Sequence, residues 1–317
     1  MTGSTFTQMP RYSLGDWNNK AAVRVRKGDY RLPDDLEQQL SSRDWFPPAF
    51  IPYLQHPMIR RTGRPIAQRL AANHLVHFLD YTTLLEHRVV NRSVEAIVHG
   101  ELGVTIPPEM KTAALQLYTD EGYHALFSNE LAEQIAALHG INDRPTPRRI
   151  ARLLGLIDAY PPADRSLAWF LLGFVSETII ARELLAAARG TLVSTVYRML
   201  RDHLEDEARH SRYFSEVFQY LWFALNTQQR DLAAGMLLQI MGLYFEPDVP
   251  WLLRSLASVG FEEESSRQII ADLLQPGAHA RRVRSGAVST FNAMHNASVF
   301  ENDHYRQLFF QAGFIDD

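Results

Sequence analysis

The chain has 317 residues, 46% hydrophobic and 21% charged, with a formal net charge of −4 and no cysteine. That length and apolar content suffice for a large buried core, so a folded chain rather than a disordered one is expected. The slight acidity offers no polycationic surface for nucleic acid or an anionic membrane, and without cysteine there are no disulfides, thiolate metal sites or cysteine nucleophiles.

The opening MTGSTFTQMP lacks a basic segment followed by an apolar core, and no apolar run approaches the roughly 18 residues of a membrane span, so a soluble cytoplasmic protein is expected. Residues 1–63 carry Pro, Asp, Arg and aromatics without a sustained period, as in WFPPAFIPYLQHP, and read as an irregular wrap with short helices. From Pro65 the character changes. Ile66, Leu70, His74, His77, Tyr81, Leu84 and Leu85 recur at helical spacing and predict a first long helix to about Val90. A second begins near Pro107 and Pro108 and stops at Gly140. A short helix near residues 150–158 follows, then Pro161 and Pro162 break the chain. The third long helix is expected over about 164–189, closed by Gly190, and the fourth over about 192–224, its near neighbour and antiparallel to it because almost no loop intervenes. Further helices are expected near 227–245, 249–258, 261–274 and 281–294. No strand run or solenoid repeat is evident, so the class is all-α: one domain with a wrap (1–63), a four-helix core (64–224) and accessory helices (225–317).

Within the core, His203, Glu207 and His210 occupy relative positions 0, 4 and 7 of the fourth helix and so share one face. Glu121 and His124 stand side by side on the second. Glu86 in LLEHRVV and Glu177 in FVSETII interrupt apolar faces, where a lone carboxylate needs a reason. Chance alone yields Glu-x-x-His about 0.7 times in such a chain, and three occur. Glu301 and His304 lie outside the long helices and read as the chance match. The other two share the rarer form Asp-Glu-x-x-His, with a chance expectation of about 0.04 each. One Glu from each of two helices and a Glu-x-x-His from each of the other two is the arrangement of ferritin-like dimetal carboxylate proteins. Oxygen and imidazole donors without thiolate favour two iron ions, or manganese, over structural zinc. Asp120 and Asp206, each preceding such a Glu, are expected to orient ligand imidazoles across helices, with plain solvation the alternative.

On these residues the sequence resembles the aminobenzoate N-oxygenase family of ferritin-like diiron enzymes. The resemblance spans roughly residues 17–305 and rests on Glu86 with VVNRSVEAIVHGEL at 89–102, DEGYH at 120–124, SETII at 176–180 and HLEDEARH at 203–210. It implies Glu86, Glu177 and His203 as terminal ligands beside His124 and His210, with Glu121 and Glu207 bridging; His203 corresponds to the family's seventh ligand. It further implies O2 as co-substrate, an external electron donor and an amine oxidised to hydroxylamine or onward to nitroso or nitro compounds. Where members acting on free aromatic acids carry polar or basic residues before the first ligand Glu, this chain has Phe78, Tyr81 and Thr82. An apolar or carrier-tethered amine is therefore as well accommodated as free aminobenzoate. Arg182 and Arg209 read as solvated, with a substrate-facing cation as alternative. The basic clusters RRTGR (60–64) and HARRVR (279–284) also read as solvated, with docking of an acidic carrier or reductase as alternative. Rival functions for the same cage are a desaturase or C-hydroxylase, an iron- or oxygen-handling protein, and a radical subunit using Tyr81, Tyr123 or Tyr213. Bundles of this class often pair, so a homodimer is expected.

Overall fold

The computed structural model describes residues 11–26, 30–187 and 191–316; the expected end of the third long helix, at 188–190, and residues 1–10 of the wrap lie outside them. Among the described residues there is no strand beyond an isolated parallel bridge between Asp44 and Leu192.

The wrap contains short helices α1 (Trp17–Lys20), α2 (Ala22–Val25), α3 (Leu36–Leu40) and α4 (Pro57–Arg60), with two single turns between Pro48 and Gln55. The first long helix, α5 (Arg64–Leu84), starts on Gly63 at a φ of 87° with a proline in its first turn. It does not end at Val90. A π turn, Leu85–Val90, leads straight into α6 (Asn91–Val98). The wider π turn shifts the helical phase, so the apolar period breaks at the junction and resumes out of register, which hid the continuation. α7 (Pro108–His139) ends on Gly140 in the left-handed conformation, as expected of a glycine stop. α8 (Arg148–Ala159) precedes α9 (Pro162–Ala187), which starts at the second proline of its breaker rather than after it, because proline suits a first turn. α10 (Ser194–Ala224) follows.

Buried apolar residues form two clusters separated by a polar layer. Along α5 the chain passes from the second cluster (Leu70–Leu79) through Glu86 to the first (Val89, Val90). α7 runs from Met110–Leu117 in the first through Glu121 and His124 to Leu131–Ala136 in the second. α9 runs the same way, Ala168–Val175 to Leu184, and α10 returns, Val196–Leu200 to Phe214–Leu221. α5 is thus antiparallel to α7 and α9, and α10 antiparallel to α9. The crossover through α8 joins two parallel helices, a ferritin-like connection. Close packing of α6 on α9 depends on Gly173: a Cβ there would lie 2.1 Å from Ser93 Oγ.

The accessory helices are α11 (Thr227–Tyr244), opened by a capping box between Asn226 and Gln229, α12 (Val249–Ala257), α13 (Glu263–Leu273), α14 (Ala278–Gly286), α15 (Val288–Asn296) and α16 (Asp303–Gln311). The single helix expected over 281–294 is two, broken at Ala287, and α16 was not anticipated.

Candidate metal centre

The four core helices cross the polar layer at mid-length, and each brings its ligand candidates there. Glu86 projects from the π turn, Glu121 and His124 from α7, Glu177 from α9, and His203, Glu207 and His210 from α10. All seven are at most 1% exposed. Burying four carboxylates and three imidazoles so deeply is costly unless something neutralises them.

The donors converge. His203 Nε2 lies 2.8 Å from Glu86 Oε1, His210 Nδ1 2.7 Å from Glu121 Oε1 and 3.6 Å from Glu177 Oε2, and His124 Nδ1 3.2 Å from Glu207 Oε1. Proximity is not matched by direction: both oxygens of Glu86 and Glu121, one each of Glu177 and Glu207, His124 Nδ1 and His203 Nε2 lack an aligned hydrogen bond. Ring and carboxylate lone pairs aimed at shared points, rather than at one another, leave such atoms close and unpartnered. Two overlapping groups have donor atoms within 4.8 Å of one another: Glu86, His124, His203 and Glu207, and Glu121, His124, Glu207 and His210. Glu207, a carboxylate common to both groups, lies between them, and the donor set fits divalent cations that accept oxygen and imidazole.

The electrostatics point the same way. Burial pushes the Glu86 carboxyl up to about 7 against the pull of His203, and burial with the charges of Glu207 and Glu121 holds Glu177 well above the carboxylate range. Burial, the largest single influence, opposes an imidazolium, yet Glu86 and Glu207 together outweigh it and lift His203 to about 9. Against the same burial, Asp206, Glu121 and Glu207 together raise His124, and Glu207, Glu121 and Asp120 together raise His210. At Glu207, burial is overcome only by His210, His124 and His203 together, and the carboxyl stays well below its usual value. Carboxylates and imidazoles so strongly perturbed by one another are groups that bound divalent cations would neutralise.

The outer nitrogens are fixed from across the bundle. His124 Nε2 meets Asp206 at 3.0 Å, and His210 Nε2 meets Asp120 at 3.0 Å. A ring nitrogen facing a carboxylate carries the proton, so each Nδ1 turns its lone pair into the cage. The wrap completes this shell. Trp17 Nε1 donates to both oxygens of Asp120 at 3.0 and 2.9 Å, and the Ala22 amide donates to Asp206 at 3.1 Å. Arg209 also donates to Asp206, which ties it to this shell. Sequence reasoning missed Trp17 and Ala22 because nothing periodic in the wrap indicates what it covers.

Beside the cage, on the side of the second apolar cluster, lies a largely apolar cavity of about 600 Å3 lined by Phe78, Tyr81 and Arg182 among others. Thr82 is not part of that lining. It is fully buried, because one residue beyond Tyr81 the helix turns its side chain inward. Of the tyrosines considered for a radical role, Tyr213 donates to Met110 O at 2.8 Å. Arg64 binds Leu40 O and Arg43 O, which gives part of the 60–64 cluster a structural role. Glu301 and His304 are exposed, in keeping with a chance match. No helix among the described residues is long and apolar enough to cross a membrane.

Residues 14–297 match the family described as P-aminobenzoate N-oxygenase AurF. No curated protein matches the chain.

Proposed function

The chain belongs to the p-aminobenzoate N-oxygenase family, whose members are diiron enzymes, and on that premise we propose how its own residues serve N-oxygenation. Glu86, His124 and His203 would hold one iron and Glu177 and His210 the other, with Glu121 and Glu207 available to both. Two dications balance four carboxylates, and Asp120 and Asp206 keep the protons of His210 and His124 on the outer nitrogens. The bound metals supply O2 activation.

The substrate is an aromatic amine of the aminobenzoate type. One oxygen atom of O2 joins its nitrogen, giving a hydroxylamine, and the other leaves as water with two electrons and two protons from an external donor. The chain binds the amine in the cavity beyond Tyr81, turns its nitrogen toward the cage, and excludes bulk water with the apolar clusters on either side. A second such step on the hydroxylamine gives an N,N-dihydroxy compound that loses water to the nitroso product, and a third on the nitroso nitrogen gives the nitro compound, each consuming one O2 with two electrons and two protons from the donor. Cytoplasmic residence and action in a biosynthetic route accord with this chemistry.

The observation that carries this reading is the convergence of buried donor atoms without aligned hydrogen bonds. Its test is metal analysis after anaerobic loading with ferrous iron, paired with detection of N-hydroxylated product on admitting O2. Two irons per wild-type chain are expected, and His203→Ala should weaken one of them. Undiminished binding of both irons in that variant would remove His203 from the ligand set, and a C-hydroxylated product would replace N-oxygenation with the rival carbon chemistry.

A further inference from the structure

The cavity beside the cage is set off from it along the helix axes. Tyr81 lies five residues before Glu86 on the α5 side and Arg182 five residues after Glu177 on α9, so two antiparallel helices both place its near end about 7.5 Å from the ligand level. His74, twelve residues before Glu86, carries the lining to about 18 Å. A single-ring amino acid with its nitrogen at the metals reaches only the near end. The remaining volume, about 600 Å3 in all, is of the size that encloses a drug-sized ligand.

The wall is apolar, with Phe46, Phe50, Phe78 and Trp251 among its side chains. Cations gather around it. Arg182 and Arg282 line it, and among the described residues neither is in an ion pair; Arg282 donates only a long 3.4 Å bond to Phe245 O. Arg149 lies over the rings of Tyr81 and Tyr244, 4.9 and 5.1 Å from their centroids. The carboxylates of the same wall are committed: Glu246 pairs with Arg152, and Asp248 accepts from the Arg148 and Trp251 amides at 2.7 and 3.1 Å. The α14 helix approaches closely enough to supply Arg282 because Gly286 has no side chain; a Cβ there would lie 2.2 Å from the Phe245 ring.

We propose that the amine oxidised here is an elongated aromatic amine whose apolar body runs past Arg182 to fill this cavity and whose distal anion is met by Arg282 from α14, so that a one-ring aminobenzoate, reaching only the Arg182 end, leaves most of it unfilled. The inference rests on the N-oxygenase reading for where the nitrogen sits. A carboxylate and a phosphate-like group satisfy the same guanidinium chemistry.

The test is calorimetric binding to the full-length, iron-loaded protein without O2, with turnover measured separately. The probes are para-aminobenzoate, aminobiphenyl carboxylate, its neutral carboxamide and the corresponding phosphonate. Aminobiphenyl carboxylate should bind about tenfold or more tighter than para-aminobenzoate and about tenfold tighter than the carboxamide, the difference one charge-assisted contact makes. Arg282→Gln should weaken the carboxylate more than the carboxamide and so erode the advantage of the acid over the amide. The ratio of phosphonate to carboxylate affinity assigns the anion. Equal or tighter binding of para-aminobenzoate overturns the elongated substrate, and equal binding of acid and carboxamide overturns the anion contact. Those failures leave the function standing if para-aminobenzoate is N-hydroxylated on admitting O2. The binding pattern without any N-oxygenated product removes the function instead.

Discussion

Replacing Trp17 by Phe should weaken one of the two metals and spare the other. Trp17 donates its indole N–H to both oxygens of Asp120, and Asp120 in turn holds His210 Nε2 at 3.0 Å. Phe keeps the apolar ring but removes a hydrogen bond to a charged acceptor, a contact of about 1.5–3 kcal/mol. Trp17 is only half-buried, so water reaches part of the vacated site and the lower end applies. If Asp120 then holds the His210 proton and ring less firmly, affinity at that position falls about 10- to 100-fold, the usual consequence of altering a group behind a ligand. The second Asp–His pair, Asp206 and His124, is held by the Ala22 amide and Arg209 and is untouched. Chelator competition with ferrous iron should therefore change from two similar equivalents to one normal and one weak. A melting curve recorded alongside separates this from loss of stability. Two equivalents that weaken together, or affinities that stay put while the melting temperature drops, would show that Trp17 merely packs.

Three further outcomes follow from particular contacts. His74 and His77 are both pushed down to about 3, chiefly by burial, with Arg149 adding at each. The unfolded chain therefore binds more protons between about pH 3 and 6.5, so stability is full above that window and falls on acidification through it, by about 2 kcal/mol per histidine at pH 5. Thermal melts of His77→Gln should show a flatter decline between pH 7 and 5 than wild type; parallel curves would refute the assignment. Gly173→Ala should cost about 1–3 kcal/mol in urea denaturation, and adding Ser93→Ala should not restore it, since the Ser93 Cβ itself would lie 2.5 Å away. Glu301→Gln and His304→Ala, at exposed positions, should leave iron stoichiometry at the wild-type value, whereas a lost equivalent would make the third Glu-x-x-His a genuine site.

Helical spacing made much of this protein legible before any coordinates. Glu121, His124, Glu207 and His210 stand out because a carboxylate and an imidazole three residues apart share a helix face whatever that helix packs against. Pro108 and Gly140 mark the ends of α7 through local backbone preferences alone. The cross-helix role expected of Asp120 and Asp206 was readable for the same reason: a residue next to a ligand on a buried helix faces a neighbouring helix. Glu86 and Glu177, single polar residues in apolar faces with no spacing partner, owed their expected roles to family resemblance, and so did His203, whose place on the face of Glu207 and His210 does not by itself make it a seventh ligand. What required the tertiary structure was everything set by distant segments. The π turn under Glu86 breaks the very period by which a helix is recognised. The anchoring of Asp120 by Trp17 joins positions 103 residues apart, and Arg282 reaches the cavity beside Tyr81 from an accessory helix. Local sequence decides which side chains a helix can present together, but only packing of the whole chain decides what stands behind an aspartate or across a cavity.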